Sequence, residues 1–136
     1  MKVIVHVDGG ARGNPGPAAA AAVITTPAGE LLGEHTRLLG TVTNNVAEYR
    51  ALLLGLEHAR ELGASEVEVV GDSELIAKQV NGAYKVKHEA MRPLHREALA
   101  ALSGFEAWSI RTVPRAQNAH ADALVNAALD RACASA

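Results

Sequence analysis

Four acidic residues lie where the sequence would allow carboxylates to act together on a ligand. Asp8 and Asp72 each end a predicted buried strand, whereas Glu48 and Asp122 each lie in the first turn of a predicted helix. Glu48 falls on the apolar stripe of its helix, at positions 48, 52, 55 and 59, so its carboxylate should face the core and require a partner. Oxygen ligands favour Mg²⁺ or Mn²⁺, and carboxylates that bridge two such ions about 4 Å apart form sites for in-line phosphoryl transfer.

Each acid also has a purely structural explanation. Asp8 could accept hydrogen bonds from turn amides, and Asp72 could be the N-cap of the helix that follows it. Glu48 could form a capping box with Asn45, and Asp122 could favour the positive end of a helix dipole. These explanations weaken when the four acids are taken together, because the neighbouring motifs offer no evident buried lysine or arginine to pair with them. A divalent cation would offset their charge.

The segment after Asp8 is rich in glycine and proline, with the sequence GGARGNPGP. It matches neither the G-x-G-x-x-G pattern of dinucleotide-binding turns nor the G-x-x-x-x-G-K-[ST] pattern of phosphate-binding loops. The glycines would instead let the backbone turn sharply beside Asp8 and approach a ligand closely, while the prolines stiffen the return to the next strand. The residues concerned are Gly9, Gly10, Gly13, Gly16, Pro15 and Pro17.

The elements that must position these acids follow from the hydrophobic pattern. Apolar runs predict strands at residues 3–7, 19–26, 30–39, 66–71 and 105–113, and helical periodicity predicts helices at residues 43–62, 72–80, 89–102 and 118–132. Short connections between the first three strands are typical of an antiparallel meander, and crossover helices should place the fourth and fifth strands parallel to the first. We therefore predict an α/β fold with a five-stranded mixed sheet flanked by helices, and a ligand site at the carboxyl ends of its parallel strands.

Length and composition fit one domain over residues 1–136, since 49% hydrophobic residues can fill a single core. The absence of an apolar run of about 18 residues and of a signal-peptide pattern indicates a soluble, cytoplasmic protein without membrane association. The single cysteine, Cys133, excludes an intramolecular disulfide and has no predicted role. The net charge of −2 argues against nucleic-acid binding by bulk charge alone. Residues 78–96 hold five Lys or Arg residues against Glu89 alone, so this basic segment is either solvated surface or a phosphate-binding surface.

Five motifs occur in order along nearly the whole chain, and together they carry a family resemblance. They are Asp8-Gly9, Gly13-Asn14-Pro15-Gly16-Pro17, Thr43-Asn44-Asn45-x-x-Glu48, Asp72-Ser73 and Asn118-x-x-x-Asp122. With these motifs the sequence resembles ribonuclease H type 1, in particular the compact branch of archaea and some bacteria that lacks the long basic arm. The resemblance implies three antiparallel strands, a helix and two further strands parallel to the first, in agreement with the hydrophobic pattern.

The resemblance further implies an endoribonuclease that hydrolyses the RNA strand of RNA/DNA hybrids and leaves 5′-phosphate and 3′-hydroxyl ends. Asp8, Glu48, Asp72 and Asp122 would be catalytic and would hold two Mg²⁺ ions, with Mn²⁺ as a substitute, when substrate is bound. One ion would activate the attacking water, and the other would stabilise the leaving 3′-oxygen. Glu48 would also approach the ribose 2′-hydroxyl, which explains why cleavage is confined to RNA.

Substrate contacts follow from the same match. The backbone around Gly9 and the uncharged amide side chains would read minor-groove edges and 2′-hydroxyls, which suits recognition without base specificity. Thr43 would contact a DNA-strand phosphate, and Lys85 and Lys87 would contact phosphates from the basic segment. The predicted substrate-binding residues are Gly9, Asn14, Thr43, Asn44, Asn45, Lys85, Lys87, Arg115 and Asn118.

Three features depart from the family pattern. Arg115 stands where many members have a histidine in the loop before the last helix, and an arginine can hold a phosphate but can hardly serve as a general base. His120 is close in sequence but at a different motif position, which favours a surface role over catalysis. Glu74 stands where some members have a substrate-contacting glutamine, and the basic arm is shortened to GAYKVKH.

Two other classes of protein remain open from the sequence. A ribonuclease H-like module that binds RNA/DNA hybrids without cutting them would keep the fold, but the retention of all four acids argues against it. A different two-metal nuclease on the same fold, such as a junction-resolving enzyme, would share scattered acids but not the T-N-N-x-x-E and D-G-x-x-x-G-N-P-G-P motifs. Double-stranded RNA is an open second substrate, and a monomer is expected.

Overall fold

The computed structural model describes residues 1–134, with backbone only at residues 133 and 134. The side chain of Cys133, for which the sequence predicts no role, lies outside this described part. The strands are β1 (Lys2–Ala11), β2 (Gly16–Thr25), β3 (Leu31–Val42), β4 (Glu66–Gly71) and β5 (Ala107–Thr112). The helices are α1 (Asn44–Glu61), α2 (Glu74–Val80), α3 (Arg92–Ser103) and α4 (Ala119–Ala134), with a turn of 3₁₀ helix at Arg115–Asn118. Within the described residues, no helix is both long and apolar enough to cross a membrane.

The five strands form one mixed sheet in the order β3-β2-β1-β4-β5. β1 pairs antiparallel with β2, and β2 pairs antiparallel with β3, as the short connections predict. β4 runs parallel to β1, and β5 runs parallel to β4, with helical connections returning the chain to the same end of the sheet. The predicted fold class and strand directions are therefore confirmed.

β1 lies at the centre of the sheet, and its apolar residues form the main core with α1. Val3, Val5 and Val7 point to one face of the sheet, where their side chains are buried. Gly55 of α1 lies over this face, and a Cβ at that position would come within 2.5 Å of the Val5 Cγ1 atom. The glycine therefore lets α1 pack closely on β1, and the core fixes where the first turns of α1 lie.

A smaller core lies on the opposite face of the sheet, beneath α4. Ala19 and Ala21 of β2 pack there against Val125, Ala128 and Leu129 of α4. The same helix also contacts β1. α4 therefore reaches the end of β1 from the face opposite to α1.

Several element boundaries differ from the predicted ones, and three of the differences have a clear local reason. β1 continues beyond Asp8, because the following residues still pair with the alanine run of β2. α2 begins at Glu74 rather than at residue 72, because Ser73 provides its N-cap. α3 begins at Arg92 rather than at residue 89, with Pro93 in its first turn, where a proline needs no N–H.

The glycine- and proline-rich segment is the hairpin connection between β1 and β2. The backbone N–H of Arg12 donates to the Pro17 carbonyl oxygen at 2.8 Å and closes the loop. Gly13 has a φ of 102°, a conformation that residues with a side chain rarely adopt. The segment is therefore a hairpin turn, and Asp8 lies on the strand that leads into it.

Candidate active site

Three carboxylates meet at the carboxyl edge of the parallel strands. Asp8 lies on β1, Asp72 directly follows β4, and Glu48 comes from α1. One carboxylate oxygen from each residue lies within 4.8 Å of those from the other two. Asp8 is only 4% exposed, so its carboxylate is largely shielded from water. The structure thus brings together three of the four acids that the sequence singles out, at the edge where a ligand site is expected.

Glu48 is not used to cap its own helix. The Thr43 hydroxyl is the N-cap of α1 and accepts a hydrogen bond from the Val46 N–H at 3.3 Å. Asn45 therefore lies inside the helix, and the alternative capping box between Asn45 and Glu48 is not formed. Glu48 lies at the start of the second turn rather than in the first, and its carboxylate faces the other acids.

Gly9 lies where β1 packs against the first turns of α1. Its backbone N–H donates a hydrogen bond to the Glu48 carboxylate, which favours the ionised form of that group. A Cβ at Gly9 would overlap the Ala47 carbonyl oxygen and lie 2.6 Å from the Glu48 backbone nitrogen. The close approach of strand and helix that places Glu48 beside Asp8 therefore requires glycine at this position.

Asp72 is held by an arginine rather than used as a helix cap. The Ser73 hydroxyl accepts a hydrogen bond from the Ile76 N–H at 3.3 Å, so Ser73 and not Asp72 is the N-cap of α2. The Arg115 Nε atom donates to Asp72 Oδ2 at 3.2 Å, although the arginine side chain is 78% exposed. The hydrogen bond to Asp72 raises the pKa of Arg115, so the arginine stays protonated and cannot act as a general base.

Asp122 lies beside the three-carboxylate group, in the first turn of α4. It shares a side-chain hydrogen bond with Asp8. Asn126, one turn further along α4, donates from Nδ2 to the backbone carbonyl oxygen of Asp122 at 3.1 Å and to its Oδ2 atom at 3.4 Å. α4 therefore presents the fourth acid to the cluster, and its position also fits the helix dipole.

Burial and mutual repulsion raise the pKa values of two of the acids. Burial, followed by the nearby Asp72 and Asp122 carboxylates, raises the pKa of Asp8 to about 8. Burial, followed by Asp8 and Asp72, raises the pKa of Glu48 to about 9. Without a cation the cluster therefore holds protons at neutral pH, and a bound divalent cation would replace them. The all-oxygen donor set and its negative charge fit Mg²⁺ or Mn²⁺.

These shifts predict that the metal-free protein loses stability as the pH rises. In the unfolded chain, Asp8 and Glu48 ionise near their ordinary pKa values of about 4, whereas in the folded chain they ionise near 8 and 9. Their protonated forms therefore stabilise the fold fully below about pH 4, and this contribution is lost as the pH rises to about 9. We expect the Tm in chelator to fall by about 10 °C between pH 5 and pH 9.

A Glu48→Gln variant shows how much of the pH dependence of the Tm comes from the acid cluster and not from other groups that titrate in this range. Its Tm should fall less steeply between pH 5 and pH 9, because one of the two shifted groups is gone. Added Mg²⁺ should raise the Tm of the unmodified protein more at pH 9 than at pH 5, since it competes with protons for the carboxylates. A wild-type Tm in chelator that rises with pH would contradict the prediction.

The four acids line a cavity of about 460 Å³. Of the predicted substrate-binding residues, the lining includes Gly9, Asn44, Asn45 and Arg115. The Asn44 side chain accepts a hydrogen bond from the Ala11 N–H at 2.8 Å, and the Asn14 side chain accepts one from the Asn44 N–H at 3.1 Å. These bonds tie the β1–β2 hairpin to the start of α1, so Asn14 lies outside the lining but fixes one side of the cavity.

Other predicted substrate-binding residues lie away from the cavity. Lys85 and Lys87 are exposed in the connection between α2 and α3. Asn118 is 2% exposed, and its Nδ2 atom donates to the Val7 carbonyl oxygen at 2.8 Å. In this structure the buried side chain ties the turn before α4 to β1 and does not line the cavity, and the substrate contact of Asn118 stays a prediction.

Arg12 and Asn126 are among the cavity-lining residues that the sequence analysis did not single out as ligand-binding. Arg12 comes from the hairpin, and Asn126 comes from α4. Asn126 follows Asp122 by four positions, and this spacing on a helix is the signal that could have identified it. His120 is exposed and lies 3.1 Å from Glu34, in agreement with the surface role expected for it.

Comparison with known proteins relates the sequence to nucleases. A family model described as Reverse transcriptase-like matches residues 6–128. The ribonuclease HI of Halobacterium salinarum is 44% identical over 131 residues, which are 96% of this chain and 66% of that protein. The bifunctional protein Rv2228c of Mycobacterium tuberculosis is 47% identical over 137 residues, which span all of this chain but only 38% of that protein.

Solved structures share both the fold and the sequence. The crystal structure of RNase H1 from Halobacterium salinarum NRC-1 has a TM-score of 0.94 at 44% identity, covering 96% of this chain and 99% of that chain. LC11-RNase H1, solved in complex with an RNA/DNA hybrid, has a TM-score of 0.92 at 42% identity, with coverages of 96% and 99%. The likeness extends over nearly all of this chain. The chain therefore belongs to the ribonuclease H type 1 family.

Proposed function

We propose that this protein is an endoribonuclease that hydrolyses the RNA strand of RNA/DNA hybrids and leaves 5′-phosphate and 3′-hydroxyl ends. Asp8, Glu48, Asp72 and Asp122 are its catalytic residues, and with substrate bound they hold two Mg²⁺ ions, for which Mn²⁺ can substitute. The three-carboxylate group, with ligand oxygens within 4.8 Å of one another, is the observation that carries this proposal. Family membership and a relative of known structure in complex with an RNA/DNA hybrid support the choice of substrate.

The composition of the site supports a hard divalent cation. Its ligands are carboxylate oxygens, and the raised pKa values of Asp8 and Glu48 reflect charge that the protein alone does not neutralise. Bound divalent ions supply activation of a water nucleophile and stabilisation of the charge that develops on the leaving 3′-oxygen. Without them, the clustered carboxylates would repel an anionic phosphodiester.

The residues around the acids keep the carboxylates in place. The Gly9 N–H orients Glu48 from β1, and Arg115 orients Asp72 from the turn before α4. Asp122 brings the fourth carboxylate from α4, which packs against β1, to the side of Asp8. Each acid therefore comes from a different element of the fold, and the core sets the distances between them.

Recognition of the hybrid falls to neutral amides and to exposed basic residues. The amide side chains of Asn44 and Asn45 can both donate and accept hydrogen bonds along the cavity, which suits contacts to 2′-hydroxyls and minor-groove edges. In the proposed complex, the exposed Lys85 and Lys87 contact phosphates of the hybrid, and Thr43 contacts a phosphate of the DNA strand. The few cations involved predict a modest dependence of binding on salt.

Cleavage of a labelled RNA/DNA hybrid is the direct test of this function. Matched double-stranded and single-stranded RNA are compared at several Mg²⁺ and Mn²⁺ concentrations, with a chelator control. We expect metal-dependent cutting of the RNA strand of the hybrid, and 5′-phosphate ends on the products. Binding of the hybrid without cutting under either metal would instead support the non-cutting module.

The finer expectations from the sequence stay predictions. They are a single domain over residues 1–136, a monomer, a cytoplasmic location and activity on double-stranded RNA. The same cleavage assay ranks the two duplex substrates, and sedimentation of the purified chain measures its oligomeric state.

A further inference from the structure

The cavity that contains the acids continues past them toward the β1–β2 hairpin. Besides the acids, its lining includes Gly10, Ala11 and Arg12 of the hairpin and Asn126 and Leu129 of α4. The cavity therefore combines the negative charge of the acids with the positive charge of the Arg12 guanidinium. A strand with regularly spaced phosphates would contact both groups at once.

Arg12 is fixed by the hairpin and paired with a carboxylate of α4. Its Nη2 atom donates to Asp130 Oδ1 at 2.6 Å and lies 3.4 Å from the Asn126 carbonyl oxygen. The Asp130 side chain is 69% exposed and that of Arg12 is 39% exposed, so water and salt weaken their attraction. A phosphate can therefore compete with Asp130 for the guanidinium.

The other arginine that lines the cavity, Arg115, pairs with a member of the acid cluster. Arg115 pairs with Asp72, so removing it from its partner would disturb the acid cluster. Asp130 is not among the residues that line the cavity, so Arg12 can exchange this partner without moving a member of the cluster. The guanidinium is a planar fork that matches the paired oxygens of a phosphate as well as those of a carboxylate.

We propose that Arg12 binds a backbone phosphate of the RNA strand, adjacent to the linkage that is cut, and that Asp130 holds the guanidinium until the hybrid displaces it. The inference rests on the proposed function, since it names a further contact to the same substrate. Because one continuous cavity joins Arg12 to the acids, the phosphate it binds belongs to the strand that the acids cut. Arg12 is thus a substrate-binding residue that sets affinity, and Asp130 is a competitor for it.

The test compares substitutions on the two sides of this ion pair. Arg12→Ala, Arg12→Lys and Asp130→Asn are measured beside Arg37→Ala, a matched control that breaks the exposed Arg37–Glu57 pair on β3 and α1. The Kd for a labelled RNA/DNA hybrid is measured in chelator at several salt concentrations, and kcat and KM are measured with Mg²⁺. The Tm of each variant confirms that it is folded.

Opposite effects are expected from the two partners. Arg12→Ala should raise the Kd by about 3–10-fold and reduce the salt slope by about one charge, with kcat nearly unchanged. Arg12→Lys should keep the salt slope and lose part of the affinity. Asp130→Asn should lower the Kd by about two- to threefold, because the phosphate no longer competes with a carboxylate. Arg37→Ala should leave the Kd as it is.

A purely structural ion pair gives a different pattern. If Arg12→Ala and Asp130→Asn both weaken binding, or if neither changes the Kd, the inference is overturned. Single neutral methylphosphonate linkages placed along each strand locate the contact, because wild type and Arg12→Ala should bind equally when the contacted phosphate is neutral. If wild type and Arg12→Ala bind equally only when the neutral linkage lies in the DNA strand, the assignment to the RNA strand is overturned. Cleavage by the wild-type protein is measured separately. A protein that binds the hybrid without cutting it contradicts the proposed function, but the comparison of Kd values still tests the role of Arg12.

Discussion

An Asp8→Asn variant is expected to lose about a thousandfold or more of its hybrid cleavage rate while it keeps its fold and most of its affinity for the hybrid. The amide preserves the size of the side chain but removes a charged ligand from the group formed with Glu48 and Asp72. Cleavage requires that charge to hold a divalent cation, whereas hybrid binding depends on other residues of the cavity and surface. Single-turnover cleavage and the Kd should be measured on one preparation.

The Tm of the same variant tests how Asp8 affects the stability of the metal-free protein. Asp8 is buried among like charges that raise its pKa, so a neutral amide should increase the Tm of the metal-free protein at pH 8 by about 3–5 °C. Glu106→Gln, which removes an exposed charge next to β5, serves as the control and should change neither cleavage nor Tm. Substantial residual cutting by Asp8→Asn would remove Asp8 from the metal site, and a lower Tm would favour its alternative role in accepting turn amides.

The strand directions and the central position of β1 could be predicted because short-range patterns constrain them strongly. Val3, Val5 and Val7 lie in a run that is apolar on both faces, as a central strand requires, and β1 occupies the centre of the sheet. Helices between the later strands leave parallel pairing as the natural arrangement. Boundaries were less accurate, because they depend on which of two adjacent polar residues caps a helix, as Ser73 does instead of Asp72.

The acids of the site could be recognised because they lie at positions where the sequence pattern predicts buried apolar side chains. Asp8 and Asp72 follow apolar strands, and Glu48 interrupts an apolar helical stripe, so each breaks a local pattern. The structure brings these three together and places Asp122 beside them. The motif match then suggested the neighbouring Asn44 and Asn45, which line the same cavity.

Contacts made by α4 could not be predicted from the sequence. The helix is alanine-rich, and such a sequence gives little indication of its rotation or of the residues it meets across the sheet. Nor does the sequence show that Asn118, in the turn before α4, has a buried side chain that donates to the Val7 carbonyl oxygen. The pair between Arg12 and Asp130 joins residues 118 positions apart, and only the packing of α4 on β2 brings them into contact.

The second large effect is expected from Gly9→Ala, which should destabilise the fold by about 3 kcal/mol and reduce hybrid cleavage by about a hundredfold. A Cβ at this position would overlap the Ala47 carbonyl oxygen and approach the Glu48 nitrogen to 2.6 Å. These are backbone atoms, so the clash can be relieved only by moving α1 away from β1. That movement would take the Glu48 carboxylate away from Asp8 and weaken its hydrogen bond from the Gly9 N–H.

Gly10→Ala is the matched control for stability, because it makes the same change one residue along the strand. A Cβ at Gly10 would meet the Val125 Cγ1 atom at 3.7 Å, an ordinary van der Waals distance, so the free energy of unfolding should change by less than about 1 kcal/mol. Urea unfolding of both variants measures the difference. If both substitutions destabilise the fold equally, the effect comes from the loss of a strand glycine in general and not from the contact between β1 and α1.

The Mg²⁺ dependence of Gly9→Ala distinguishes a displaced carboxylate from simple loss of folded protein. At a temperature well below its Tm, the variant is folded, so unfolding alone would leave the Mg²⁺ concentration for half-maximal cleavage unchanged. A shift of Glu48 away from Asp8 and Asp72 would instead raise that concentration, because one of three clustered ligands no longer reaches the cation. A normal Mg²⁺ dependence with normal cleavage at low temperature would mean that α1 can move without carrying Glu48 out of the cluster.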